Sequence, residues 1–522
     1  MQMPFKILTC LYLPLILSAV LLPIGGKKTL GIRRATVHFD EYLTNIWPLP
    51  KQFTSGNLTL TVDPDIAVDV QGPGGSFPIV LEAFERFRNL VFKKQSGYAW
   101  GEHDVSKLTI IVASDDDTLQ LGVDESYTLY VSDSSEGGGG GRLSIVGGVS
   151  IEANTIYGAL RGLETLSQLC TYNYKTKTVE VNKAPWYIHD EPRFSFRGLL
   201  LDSSRHFLPV NIIKQVIESM SYAKLNVLHW HIIDEESFPL EIPTYPNLWE
   251  GSYTKWERYT VEDAYEIVEG VGYPDLWPSP NCTEPLDFTK EYTFNVISGI
   301  LTDLRKIFPF ELFHLGGDEV HEGSFCGYVV IIKSIAGYQL RMLEQRNMTT
   351  NDAYQYFVLR AQEIALSHNW IPVNWEETFN SLGPGVCPKV VANGFRCIVS
   401  NQGVWYLDHL DVPWEKFYTN EPLDGINDTL QQKLVLGGEV CMWGETADTS
   451  DVLQTIWPRA AAAAERLWSP REATSSENLN ATVLPRLQHF RCLLNYRGVP
   501  AAPVTNLYAR QPPIGAGSCF TQ

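Results

Sequence analysis

Residues 313–320 read Phe313-His-Leu-Gly-Gly-Asp-Glu-Val320, and the reading of this octapeptide decides the fold. A largely apolar run from Ile307 to Leu315 leads into two glycines and then two adjacent acids. A β-strand that ends on Gly-Gly lets backbone or ligand approach closely, because no Cβ is in the way. Asp318 and Glu319 then stand at a strand's carboxyl end, where α/β barrels and open sheets build their active sites. The plainer alternative is that Asp318 caps a following helix.

Working outward, apolar strands alternate with helical segments, the rhythm of a parallel α/β barrel. Strands are predicted at Phe196–Asp202, Leu225–Asp234, Ile371–Glu376, Cys397–Ser400 and Leu434–Trp443, besides the one that carries the octapeptide. Helices are predicted at Val210–Tyr222, Thr260–Glu269, Phe294–Ile307, Tyr354–Ser367 and Trp457–Trp468. The expected class is α/β: a (β/α)8 TIM-type barrel over residues 194–522, apparently lacking one or two strands. Between His231 and His314 no strand is found, and between Glu376 and Cys397 only the short Lys389–Ala392 could serve.

Upstream, short alternating runs indicate a smaller α+β domain at residues 45–183. Leu58–Val62 and Ile66–Val70 look like a strand pair turning at Asp63-Pro-Asp65. Helices are expected at Ile79–Phe92 and Thr155–Cys170, and strands at Leu108–Val112, Tyr127–Val131 and Leu143–Val146, the last preceded by the glycine run 137–141. No catalytic constellation is visible there. Residues 1–24, with Lys6 ahead of a Leu-rich stretch, read as a signal peptide, an uncleaved anchor being the alternative. Sequons at Asn57, Asn281, Asn347, Asn427 and Asn480 agree with entry into the secretory pathway. So do the eight cysteines left once Cys10 goes with the signal. The formal charge of −19 argues against nucleic acid or an anionic membrane as partner.

Polar and aromatic residues fall at or near the carboxyl ends of the barrel strands: Asp202, Asp234, Glu319, Trp375, Tyr406, Trp443 and Glu445. Carboxylates with aromatic faces suit a neutral sugar, whose hydroxyls donate to the former and whose apolar ring face stacks on the latter. His229-Trp-His231 is a competing signal, because alternate strand residues share a face and two imidazoles could ligate one metal ion. No later strand completes a metal-hydrolase set. Glycoside hydrolysis ordinarily needs two carboxyls facing each other across the scissile bond, and sequence neighbours are poorly placed for that. Adjacency makes sense if a 2-acetamido group on the substrate supplies the nucleophile. Glu319 would then be general acid and base, with Asp318 holding the acetamido N–H.

Taken together, Arg197-Gly-Leu-Leu-Leu-Asp202 with Ser204-Arg-His206, Leu225–His231, His314–Glu319, Gly437–Glu445 and Trp457–Trp468 make the chain resemble a family-20 β-N-acetylhexosaminidase of the eukaryotic vacuolar, lysosomal or secreted type. The likeness runs from about Trp47 to Cys519. It implies exo-acting release of terminal β-linked GlcNAc or GalNAc without a cofactor or metal, and it allows a homodimer. Carried over position by position, Glu319 is the proton donor, Asp318 the acetamido orienter, and Tyr406 a donor to the acetamido oxygen. Trp375 and Trp443 wall the pocket, Arg197 and Glu445 hold the sugar's ring hydroxyls, and Asp234 belongs to a carboxylate–histidine chain that tunes Glu319. The resemblance also implies a Cys492–Cys519 disulfide, and Cys282 with Cys326 fits another.

The departures coincide with the missing strands. The family's third strand, with its Asp-x-Pro-Gly-His end, is bridged here by Glu269-Gly-Val-Gly272, and a second gap lies near residues 385–389. Such clean gaps look like skipped exons or a mis-assembled gene rather than trimmed loops. Two further readings stand beside the enzyme: a catalytically impaired sugar-binding or truncated relative that keeps Arg197, Trp443 and Glu445, and a metal-dependent hydrolase using His229 and His231.

Overall fold

Strand β1, Gln52–Gln71, is one continuous element and not the strand pair expected around Asp63-Pro-Asp65. The reason lies in its neighbours. Its first half pairs antiparallel with β6 (Thr178–Asp190) as far as Val62, and its second half pairs parallel with β2 (Val105–Val112) from Ala67. Pro64 falls at the change of partner, where the register shifts and a missing N–H costs no ladder bond.

These elements belong to a computed structural model that describes residues 44–94, 103–132, 148–234, 236–266, 288, 290–307, 310–318, 343, 346–379, 386–475 and 478–505. The signal segment, the glycine run 137–141, the predicted strand 143–146 and Glu319 lie outside the described residues, as do Cys282, Cys326 and Cys519. The N-terminal sheet has the order β1-β2-β4-β3-β6-β5, with β3 at Tyr127–Val131, β4 at Val149–Ala153 and β5 at Cys170–Asn173. It continues past residue 183, the boundary expected from sequence, to Asp190. Helices α1 (Pro78–Val91) and α2 (Ile156–Leu169) bury Phe84, Phe87, Leu163 and Leu166 against Leu108, Ile110, Leu129 and Ile151. Thr155 starts α2 by accepting the Gly158 N–H at 3.2 Å, as a β-region cap residue does.

The second half is the barrel-type α/β part. Four parallel strands run in the order β11-β12-β7-β8: β7 is Phe196–Asp202, β8 Val227–His231, β11 Cys397–Val399 and β12 Val435–Met442. A separate parallel pair joins β9 (Leu312–His314) to β10 (Ile371–Val373). Helices α3 (Val210–Tyr222), α4 (Val261–Glu266), α5 (Glu291–Ile307) and α6 (Thr350–Ser367) fall in the connections, as the periodicity predicts. The candidate strand Lys389–Ala392 is instead part of helix α7, Val386–Ala392. Pro388 sits in its first turn, where its absent N–H has no partner to lose, and Val391 faces the core. A disulfide, Cys387–Cys397, ties α7 to β11.

The strands therefore form two arcs. Among the described residues no strand connects β8 to β9 or β10 to β11, and these breaks fall where the sequence lacks strands. Side chains cross the first break: the rings of His229 on β8 and His314 on β9 stand 4.7 Å apart. A cavity of about 3760 Å³ runs along the inside, from Leu90 and Leu160 of the N-terminal layer to Trp375 and Trp443 at the strands' carboxyl ends.

Candidate active site

The two glycines after β9 have the left-handed backbone their identity permits, with φ of +69° at Gly316 and +107° at Gly317. Gly317 is also sterically required, since a Cβ there would lie 2.6 Å from Thr378 Cγ2. The turn is pinned by β10 and α6. Leu315 N–H donates to Val373 O (2.8 Å), Trp375 N–H and Asn374 Nδ2 donate to Gly316 O (both 3.1 Å), and the Tyr354 hydroxyl donates to Gly317 O (2.6 Å). Asp318 follows directly on this fixed turn and lines the cavity. His314 Nδ1 accepts the Gly316 N–H at 3.1 Å. Burial, followed by the imidazoles of His229 and His231, holds its pKa well below the usual histidine value. The ring is therefore neutral, with its hydrogen on Nε2.

Three aromatic residues make one wall. Trp375 lies with its ring centroid 4.3 Å from that of His314 and 5.9 Å from that of Trp443, and Tyr406 is 5.9 Å from Trp443. Tyr406 reaches this wall because it bridges to Cys441 on β12, and Leu407 N–H donates to Cys441 O at 2.7 Å. Burial, then Cys441, pushes the Tyr406 hydroxyl above its ordinary range, so it keeps its proton and can donate. Asp408, two residues on, lines the same cavity, and its Oδ1 has no hydrogen-bond partner among the described residues.

Against the wall, Arg205 gathers four carboxylates. Nη2 meets Asp234 at 2.8 Å, Nη1 meets Asp202 at 3.1 Å and Glu445 at 3.9 Å, and Nε meets Glu236 at 3.3 Å. Its guanidinium carbon stands 5.2 Å over the Trp443 ring. Asp234 also accepts from His231 Nε2 at 2.6 Å, which gives it a histidine partner on β8. Asp202 is taken up by backbone: it accepts the N–H groups of Ser204 (2.8 Å) and Gly444 (2.9 Å), fastening the loop after β12 to the end of β7.

Arg197 is a correction. It sits at the amino end of β7, fully buried, and donates to Phe194 O, Lys224 O and the Glu125 carboxylate at 2.7–2.9 Å. Side chains on a barrel strand's first residues face the floor, away from the catalytic face. The arginine at the site is Arg205. Its signal in the sequence is Ser204-Arg-His206, just beyond the strand's carboxyl end, whereas the arginine of Arg197-Gly-Leu-Leu-Leu-Asp202 opens the strand at the opposite end. Glu445, half-exposed, therefore keeps company with Arg205 and not with Arg197.

The two β8 histidines serve separate carboxylates. His229 Nδ1 meets Glu439 at 3.1 Å, while His231 meets Asp234. Among the described residues no group of three or more His, Cys, Asp or Glu side chains is placed to hold a metal ion. The arrangement is instead a cleft with one acid fixed on a Gly-Gly turn, an aromatic wall beside it and a guanidinium facing the wall. It suits a polar, uncharged ring with an apolar face.

Comparison with known proteins agrees. The family model described as glycosyl hydrolase family 20, catalytic domain, matches residues 194–270 and 278–471, and one described as β-acetyl hexosaminidase like matches residues 46–169. The chain is 59% identical to β-hexosaminidase 1 of Arabidopsis thaliana, over 91% of this chain and 94% of that protein. It is 31% identical to the β-hexosaminidase subunit beta of Rattus norvegicus, over 89% and 92% of the two chains. Among solved structures it resembles the Flavobacterium johnsoniae chitobiase, with TM-score 0.71 and 24% identity over 87% of this chain and 73% of that one. It also resembles the Streptomyces plicatus N-acetyl-β-hexosaminidase, with TM-score 0.67 and 20% identity over 88% and 98%. At such identities the structural likeness speaks for the fold.

Proposed function

The chain belongs to glycosyl hydrolase family 20, and we propose that it is an exo-β-N-acetylhexosaminidase that removes terminal, non-reducing β-linked GlcNAc or GalNAc by a substrate-assisted, retaining mechanism. The observation that carries this reading is the fixed Gly316-Gly317 turn, which delivers Asp318 into a cavity walled by Trp375, Tyr406 and Trp443.

In the first step Glu319, the residue after Asp318, protonates the glycosidic oxygen as its bond to the anomeric carbon breaks. The acetamido carbonyl oxygen forms a bond to that carbon from the opposite face. Asp318 accepts the acetamido N–H and stabilises the positive charge that spreads over the cyclised group. The Tyr406 hydroxyl donates to the attacking oxygen and aligns it, and Trp375 and Trp443 confine the acetamido methyl. In the second step the Glu319 carboxylate takes a proton from water, which attacks the anomeric carbon and reopens the ring with configuration retained. Arg205, held by Asp234 and with Glu445 beside it, takes the hydroxyls of the terminal sugar, the role first given to Arg197.

Around this site the reading places the N-terminal α+β domain as a support without chemistry of its own. It also places the protein in the secretory pathway, bound for a vacuole, a lysosome or the exterior, and assembled as a homodimer. Asn57, Asn347, Asn427 and Asn480 are exposed, as glycan attachment requires. No helix among the described residues is long and apolar enough to cross a membrane. The test is release of the aryl group from an aryl β-N-acetylglucosaminide by the purified chain, with turnover lost in Glu319→Gln. An inactive wild type, or an unaffected variant, would overturn the assignment.

A further inference from the structure

The most exposed aromatic side chain among the described residues of the barrel half is Trp256, with 80% of its surface open, and nothing in the chemistry above uses it. It stands on the loop 249–258, which follows β8 and so belongs to the carboxyl face where the site lies. That loop is stitched to the segment that carries two of Arg205's partners. Phe238 N–H donates to Gly251 O (2.9 Å), and Tyr259 N–H, directly after the loop, donates to Pro239 O (2.7 Å).

The loop is a built feature. Trp256 N–H donates to Thr254 Oγ1 (3.2 Å), Thr254 Oγ1 to Glu257 (2.8 Å), and Arg258 Nε to Ser252 Oγ (2.7 Å). Lys255 lays its ammonium 4.6 Å over one face of the Trp256 ring, leaving the other face to solvent. Tyr253 is 49% exposed on the same loop, and Glu250 and Gly251 just before it line the cavity. The Tyr253 hydroxyl is pushed up by its own partial burial and by the carboxylates of Glu236 and Asp202, which places it within their electrostatic reach. An ordered indole with one face backed by a cation presents its other face as a flat apolar surface, and a pyranose's apolar face fits that surface.

We propose that Tyr253 and Trp256 form a stacking platform for the sugar units on the reducing side of the scissile bond, so that the enzyme favours oligosaccharide chains over simple glycosides. The occupant follows from continuity: the loop that carries the two rings lines the cleft at Glu250 and Gly251, so what lies on it is the rest of the glycan whose terminal sugar the cleft takes. This inference rests on the hexosaminidase reading, and its test separates the two.

The experiment compares wild type and Trp256→Ala on an aryl β-N-acetylglucosaminide and on a β-1,4-linked N-acetylglucosamine trisaccharide. Turnover of the aryl glycoside by wild type tests the activity. The platform predicts that Trp256→Ala leaves the aryl substrate's kcat/KM within about twofold while raising KM for the trisaccharide roughly five- to tenfold. Tyr253→Ala should shift KM for the trisaccharide in the same direction. Should the chain turn over neither substrate, calorimetric titration of the trisaccharide gives the same ratio as dissociation constants. Equal effects on both substrates, or no change for the trisaccharide, would overturn the proposal.

Discussion

Two arginines of one strand-and-turn unit show how position decides a residue's role. Arg197 enters the amino end of β7 and is spent on structure, pairing with Glu125 inside the protein. Arg205 leaves the carboxyl end and stands in the cleft among Asp202, Asp234, Glu236 and Glu445. Their variants should separate cleanly. Arg205→Lys keeps the charge but loses the planar fork, and kcat/KM should fall by about 10- to 100-fold with the protein still folded. Arg197→Met strands part of a buried carboxylate's charge and should cost about 3 kcal/mol or more of stability, leaving the kinetic constants of the folded fraction within about twofold. Steady-state kinetics and denaturant titration on both variants check this. Equal catalytic losses would return Arg197 to the site.

At the scale of elements, Glu439 on β12 crosses the barrel interior to His229 on β8, passing over β7 at Gly198. A Cβ at Gly198 would lie 3.0 Å from Glu439 Oε2, so that glycine is needed for close approach. His229 in turn supports His314 and Trp375, the residues on the other arc that shape the turn and the wall. Glu439→Gln, which can still accept from His229, should keep kcat within about threefold. Glu439→Leu should lower it about tenfold or more, more in kcat than in KM. Matching losses in the two variants would argue against a positioning role. A helix with strong apolar spacing (Val210–Tyr222), a strand with one clear face (Tyr127–Val131) and a strand buried along its whole length (Phe196–Asp202) are legible in the sequence to the residue. The turn expected at Asp63-Pro-Asp65 failed because a proline reads the same at a hairpin and at a change of sheet partner. The only candidate for a strand between Glu376 and Cys397, Lys389–Ala392, proved helical, because a short apolar run carries no period of its own. At the site, carboxylates and aromatics were legible by type and strand end. The pairing of Asp234 with His231, and the choice between two arginines, needed three-dimensional register.

For the molecule as a whole, the two halves are joined by buried charge as well as by apolar contact. Glu125, just ahead of β3 in the N-terminal layer, meets Arg197 of the barrel floor at 2.7 Å and Arg161 of α2 at 2.8 Å. Burial alone would raise its pKa, but the two guanidiniums bring it down to about 2. A carboxyl with a lowered folded-state pKa contributes stability that is present above its unfolded value near 4.5 and is lost as pH falls toward 2. Stability to denaturant should therefore hold down to about pH 4.5 with respect to this group and then fall, by about 3 kcal/mol in free energy across the window. Glu125→Gln should flatten that limb, and an unchanged slope would mean other carboxyls carry it. The fold's two open breaks leave the catalytic turn fastened mainly to β10 and α6, so the whole account rests on whether that turn presents Asp318 to an acetamido group. The ratio of kcat/KM for an aryl β-N-acetylglucosaminide to that for the matching aryl β-glucoside, which lacks the acetamido group, tests this most directly. Substrate assistance predicts a ratio of about 10³ or more, because the glucoside has no nucleophile to supply; comparable rates on the two would contradict it.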